Sequence, residues 1–158
     1  MLKYIPILAV LFVAVHSQCD DGWESFEDSC YSFQSNSLNW ADSRTYCQSL
    51  RDGADLAIVK EANTLTGLVQ YTDTYSLRGS FWLGGSDLDF EGDWRWIDTS
   101  RIEYGTPFWA LNHDLLNWDI EPKGGSNENC LDMNDSQKLY FNDEDCSKEN
   151  HPICMYTP

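Results

Sequence analysis

The sequence predicts an α+β domain, and three observations carry that reading. Helical spacing of apolar residues is confined to positions 40–69, with no βαβ alternation anywhere. From residue 80 onward, short aromatic and β-branched runs alternate with Gly, Asp and Asn. Six cysteines, an even number, all lie after residue 17.

Residues 1–17 read as a secretory signal peptide. Lys3 gives the positive start, an almost wholly apolar run follows, and Ser17 offers a small residue for cleavage. That run, about a dozen residues, is too short to span a bilayer. No second apolar stretch of spanning length follows, so the expected product is secreted, extracellular and not inserted in a membrane. The remainder, 18–158, has the length of one ordinary domain. Losing Lys3 takes the formal charge from −16 to −17. Such acidity argues against nucleic acid or anionic lipid as a partner, because phosphate binding needs a basic surface. The 14% aromatic content, with seven Trp, argues against an acidic disordered chain. Most of the charge reads as solvated surface.

Residues 23–33 place aromatics among polar residues and read as a short hairpin. Trp40, Ala41, Arg44, Cys47 and Leu50 share a helical face, and Gly53 is placed to end that helix. Residues 56–59 form an apolar β-prone run, and Ala62, Leu65, Leu68 and Val69 mark a second helix. Strands are expected at 81–83, 94–97, 140–141 and 153–156.

Cys19, Cys30, Cys47, Cys130, Cys146 and Cys154 contain no CxxC pair, which removes thioredoxin-like and zinc-knuckle readings. In an oxidising compartment three disulfides are expected, and spacing alone leaves about 15 connectivities open. The long separation between Cys47 and Cys130 implies one bridge closing a large loop, worth very roughly 4 kcal/mol in the chain-entropy model. Enzyme signatures are missing. Only His113 and His151 follow the signal segment, with no HExxH, GxSxG, GxGxxG or phosphate loop. With 26 acidic residues, pairs of carboxylates arise by chance and claim no glycosidase chemistry. The chain does not read as an enzyme, and His151, before Pro152, reads as structural or surface.

The stretch after residue 80 is more specific. It contains Trp82-Leu83-Gly84-Gly85, Glu91-Gly92, Trp94-Arg95-Trp96 with Asp98, Asn117-Trp118, Glu121-Pro122-Lys123, Glu128-Asn129-Cys130 and Phe141-Asn142-Asp143. Order and spacing resemble the C-type lectin family, with its W-I-G-L core motif, E-P-N loop and W-N-D strand. The resemblance covers essentially all of 18–158 and matches the long-form arrangement of six cysteines. It implies a fold of two helices flanking small antiparallel sheets, a long calcium- and sugar-binding loop region, and the disulfides Cys19–Cys30, Cys47–Cys154 and Cys130–Cys146. It also implies a core role for 82–85 and a cis bond before Pro122.

By the same resemblance, the principal calcium site maps onto Glu121, Glu128, Asn142 and Asp143, with Lys123 at the fifth position. Calcium takes six to eight hard oxygen ligands, which these side chains other than Lys123 supply. Sugar hydroxyls would complete the calcium shell while bonding the same residues. Glu121 leans toward mannose-like hydroxyls. Lys123 breaks the pattern, because the family has Asn or Asp there. An ammonium about 4 Å from a divalent ion is repelled by roughly 8 kcal/mol at an effective dielectric of 20, so Lys123 must either swing into water or replace the metal. It also offers a contact for an acidic or sulfated sugar. An accessory calcium site maps onto Asp87 and Glu91 but is expected to be weak or absent, since Gly124 and Asn129 stand where acids are common. Phe141 keeps the apolar anchor of the usual Trp.

Trp109, Trp118 and Tyr140 are candidates for stacking on a sugar face, with the core the better place for Trp118. Asn134-Asp135-Ser136 is a glycosylation sequon. No heptad or collagen-like segment is present, so multivalency would require non-covalent homo-oligomers. The expected function is a secreted lectin recognising glycans on microbial surfaces in innate immunity, with calcium as cofactor. The alternative is a sugar-independent acidic matrix, mineral-binding or protein-binding molecule on the same fold.

Overall fold

The computed structural model describes residues 19–105, 108–113 and 118–158. The expected signal peptide lies outside them. The hairpin forms as β1 (Glu24–Phe26) and β2 (Ser29–Phe33), turning at Glu27 in a left-handed conformation. Helix α1 (Trp40–Leu50) starts at Asn39, whose side chain accepts the Asp42 backbone N–H at 2.9 Å and satisfies one of the open donors of the first turn. Its inner face buries Trp40, Ser43 and Cys47, and the Trp40 indole donates to the Leu83 carbonyl at 2.8 Å. Gly53, just beyond the helix end, sits at φ +79°.

The apolar run 56–59 buries Leu56, Ala57 and Val59, with Ile58 partly buried, but makes only a two-residue strand, β3 (Asp55–Leu56). Beyond it, backbone bonds to Ile153 and Gly84 replace a regular ladder. Helix α2 (Ala62–Thr74) runs five residues past Val69, the last apolar residue of its predicted stripe, and turns Leu65 and Leu68 into the core. The remaining strands are β4 (Phe81–Ser86), β5 (Arg95–Trp96), β6 (Leu111–His113), β7 (Trp118–Ile120), β8 (Cys130–Asn134), β9 (Tyr140–Glu144) and β10 (His151–Tyr156).

The main sheet has the order β1-β2-β10-β4-β8-β9, with β3 added to β10 and β5 to β4; β6 and β7 form a separate hairpin. Pairing is antiparallel except where β10 meets β4 in parallel, at His151 opposite Phe81 and Pro152 opposite Trp82. That parallel contact joins β1, β2 and β10 to β4, β8 and β9. The three disulfides pair as the resemblance implies, and Cys47–Cys154 staples α1 to β10 across 107 residues. Among the described residues no cysteine is free.

The 82–85 motif is core. A Cβ on Gly84 would lie 2.9 Å from the Leu56 carbonyl, and one on Gly85 would lie 2.7 Å from both Ile102 Cδ1 and Leu131 Cδ2. The two glycines are therefore where neighbouring elements close on β4. Phe141 is almost wholly buried against Trp96, Phe108 and Trp109, as an apolar anchor should be. Its backbone N–H and C=O bond Phe108 and Ala110, and Ala110 in turn accepts the Glu121 N–H at 3.0 Å. This chain of backbone bonds places the start of the Glu121 loop beside β9.

Candidate functional site

Glu121 leaves β7 and enters a loop through a cis Glu121–Pro122 bond, as the resemblance implies. The Glu121 side chain is 2% exposed. A 3-10 turn at Gly125–Asn127 brings the chain back to β8. Asp143 on β9 lashes the loop down: its carboxylate accepts the Lys123 N–H at 3.1 and 3.0 Å and the Gly124 N–H at 2.6 Å. Glu128 folds directly over Gly124, where a Cβ would sit 1.9 Å from Glu128 Oε2. Gly124 thus removes an acid from the loop and makes room for the one at Glu128.

Lys123 turns along the loop toward the carboxylates. Its ammonium lies 2.9 Å from Asp119 Oδ2 and 3.4 Å from Glu121 Oε1, and its side chain stays 46% exposed. Gln137 Nε2 also reaches Glu121 Oε1, at 3.4 Å. Asp87, Glu91, Tyr104, Lys123, Glu128 and Asp143 line one cleft of about 280 Å³. Glu128 and Asp143 of the expected principal set therefore share one acidic depression with Asp87 and Glu91 of the accessory set, while Glu121 and Asn142 lie outside its lining. Asp87 is 3% exposed, with Oδ2 accepting the Gly92 N–H at 2.8 Å, while its buried Oδ1 has no hydrogen-bond partner among the described residues.

Crowded acids resist carrying charge together. Burial, with Asp143 adding to it and Lys123 opposing it, pushes the Glu121 carboxyl up to about 7. Burial and the Asp143 charge also raise Asp87, and burial with Asp143 and Glu144 raises Glu128. Lys123 is raised by its bond to Asp119 and by the Glu121 charge. The donor chemistry suits a hard divalent cation, and the bare buried oxygen of Asp87 is the strongest mark of one. Two observations run the other way. Among the described residues no three acidic, His or Cys side chains converge closely enough to hold a metal between them, and the Glu121 end is held by the Lys123 ammonium.

Asn142 is 8% exposed and donates Nδ2 to Asp132 Oδ1 at 3.0 Å and to the Asp143 carbonyl at 2.7 Å. Of the aromatic candidates, Trp109 is corrected. It is 1% exposed, with its indole donating to the Glu103 carbonyl, because the β9 contact pulls its segment into the core. Tyr140 is exposed, yet it lines a groove against Ala62, Leu65 and Val69 of α2 and not the acidic cleft. The Trp118 side chain and Asn117 lie outside the described residues. Asn134 Nδ2, the atom a glycan would modify, faces Asp132 at 3.4 Å, while its Oδ1 accepts from Ser136. His151 Nδ1 lies 3.1 Å from the Asn36 carbonyl, to which it donates when it carries the ring proton.

Sequence reasoning missed Asp119, Tyr104 and Asp132. Asp119, four residues before Lys123 in an acidic chain, gave no distinctive signal. Asp132 was legible only as the polar break in an otherwise apolar run after Cys130.

Residues 36–156 match the family model described as the lectin C-type domain. The chain is 31% identical over 140 residues to a protein named Lectin from Pleurodeles waltl, covering 88% of this chain and 76% of that one. It is 26% identical over 147 residues to human regenerating islet-derived protein 4, covering 92% and 85%. Among solved structures, an SPL-1–GlcNAc complex superposes with a TM-score of 0.72 at 27% identity, covering 90% of this chain and 98% of that one. The Ca2+-free form of a Ca2+-dependent type II antifreeze protein superposes with a TM-score of 0.71 at 26% identity, covering 88% and 100%. Two helices, a mixed sheet, three disulfides and these likenesses agree: the chain belongs to the C-type lectin family.

Proposed function

We propose that this chain is a secreted, non-enzymatic lectin that binds glycans at the face formed by Glu121, Lys123, Glu128, Asn142 and Asp143, with calcium as its cofactor. The observation that carries this reading is the gathering of four carboxylates, from Asp87, Glu91, Glu128 and Asp143, around one cleft beside Glu121 and Asn142. Glu128 and Asp143 would hold a calcium there together with the Asn142 carbonyl oxygen, and Asp87 and Glu91 would form the weak accessory site. Glu121 would join the principal set once the half-exposed Lys123 swings into water and releases it. Bound calcium would offer vacant positions to two neighbouring sugar hydroxyls. Asp143 then fixes the loop through the Lys123 and Gly124 amides, and Asn142 and Glu121 set which hydroxyl geometry fits. The named relatives and the GlcNAc complex support sugar as the ligand class.

Lys123 already faces two carboxylates, Asp119 and Glu121, which argues against a sulfated sugar as its main contact. Glycans on microbial surfaces, as part of innate immunity, are the proposed targets. With every described cysteine in an internal disulfide, any self-association would be non-covalent.

A second reading has its own observation. The Lys123 ammonium at 3.4 Å from Glu121 is a built-in cation, and a protein that kept it there would need neither metal nor sugar. The likeness to a protein named for antifreeze activity supports a role other than sugar binding on this fold.

Titrating the ¹⁵N-labelled domain with methyl α-mannoside in Ca2+ tests the first reading. It predicts shifted amides at Lys123, Gly124, Asn142 and Asp143. An unperturbed spectrum at these four positions, with this and other neutral sugars, would leave the second reading standing.

A further inference from the structure

Asp132 lies outside every ligand set considered above, yet it is fully buried in the middle of β8. It stands directly opposite Asn142 in the β8–β9 register, so the two side chains emerge next to each other on one face of the sheet. Its carboxylate accepts three amide groups: Asn142 Nδ2 on Oδ1 at 3.0 Å, Asn150 Nδ2 on Oδ2 at 3.0 Å, and Asn134 Nδ2 on Oδ2 at 3.4 Å. These come from β9, from the segment just before β10, and from the end of β8.

A buried carboxylate needs such donors, because an acid removed from water without them is strongly disfavoured. The arrangement has a consequence for Asn142. Both hydrogens of its side-chain amide are engaged, one by Asp132 Oδ1 and one by the Asp143 carbonyl. Turning the amide over would set its oxygen against two acceptors at once. The nitrogen is therefore held inward, and the carbonyl oxygen is the atom left to face away from Asp132.

We infer that Asp132 is a positioning residue for the binding face: it clamps the Asn142 amide so that the carbonyl oxygen is presented to a ligand. This rests on the reading that Asn142 contributes to ligand binding. Asn150 shares Asp132, and among the described residues its other hydrogen bonds go to the Leu38 backbone, away from the binding face, so it separates positioning from simple support of the fold.

The experiment compares Asp132→Asn with Asn150→Ala in the full disulfide-bonded domain. Asp132→Asn keeps the shape but offers one acceptor oxygen to three incoming amides. Three quantities are read: side-chain amide exchange of Asn142 by NMR, thermal stability, and affinity for Ca2+ alone and for methyl α-mannoside in Ca2+. Wild type should show Asn142 side-chain protons exchanging slowly. Asp132→Asn should speed that exchange at least tenfold and weaken Ca2+ binding at least tenfold. Asn150→Ala should lower the melting temperature and leave both other quantities within twofold of wild type. Unchanged Asn142 exchange in Asp132→Asn would overturn the inference, as would equal loss of binding in both variants. If wild type binds neither calcium nor sugar, the proposed function fails, and the exchange measurement still decides the positioning role.

Discussion

Replacing Lys123 by Ala should tighten calcium binding and, without calcium, loosen the fold. The ammonium sits 3.4 Å from Glu121 Oε1. At that separation a unit pair is worth about 1 kcal/mol in bulk water and about 5 kcal/mol at an effective dielectric of 20. The Lys123 side chain is 46% exposed, so the lower end applies, about 1–2 kcal/mol after screening. A cation entering at Glu121 must displace this interaction, so its removal should lower the calcium Kd by roughly 5- to 30-fold. The same change leaves a buried Glu121 beside Asp143 with less compensation, which should lower the melting temperature of the calcium-free protein. Lys123→Asn, which also returns an oxygen ligand, should bind calcium more tightly than Lys123→Ala. Calorimetry with Ca2+, paired with melting curves in chelator and in calcium, reads both effects. Calcium affinity that is unchanged or weaker in Lys123→Ala would refute the reasoning, since the ammonium would then not compete with the metal.

Other consequences follow from the fold. Gly85→Ala forces a Cβ to within 2.7 Å of Ile102 and Leu131 and should destabilise by about 1–3 kcal/mol, read from urea denaturation. Replacing Cys47 and Cys154 together by Ser opens a 107-residue loop and should cost about 2–5 kcal/mol in the same assay. Asp98 is held at about 2, its burial outweighed by Lys60 and by two bonds from Ser100. Its folded pKa is depressed, so its contribution is present above the ordinary value of 3.8 and disappears as pH falls through about 2. Both partners are more than two-fifths exposed, so Lys60→Met should cost no more than about 1 kcal/mol at pH 7. That difference should fade in unfolding curves taken between pH 4 and pH 2.

Periodicity located both helices and the N-terminal hairpin, because each buries a single stripe or face that local spacing reveals. It missed β8, where Cys130 to Met133 are all buried on a central strand and leave no alternation to read. It also overran at 57–59, where the backbone of Ala57 bonds Ile153 and Gly84, contacts that only the tertiary fold supplies. The three disulfide pairings came from the family resemblance, since spacing alone admits many. At the candidate site, the acids were legible one by one. Their meeting in one cleft depends on β9 holding the loop through Asp143, a contact between residues about 20 positions apart. Trp109 misled because an aromatic near a loop in sequence carries no sign of which way the sheet edge will turn it. The Lys123 contact with Asp119 and Asp132's hold on Asn142 are side-chain geometries with no sequence pattern of their own.

The most direct test is a glycan array probed with the purified domain in Ca2+ and again in chelator. The account predicts glycan binding, mannose-type ligands foremost, in calcium and its loss in chelator. A blank array in both conditions would contradict it, and glycan binding that persists in chelator would contradict the role given to calcium.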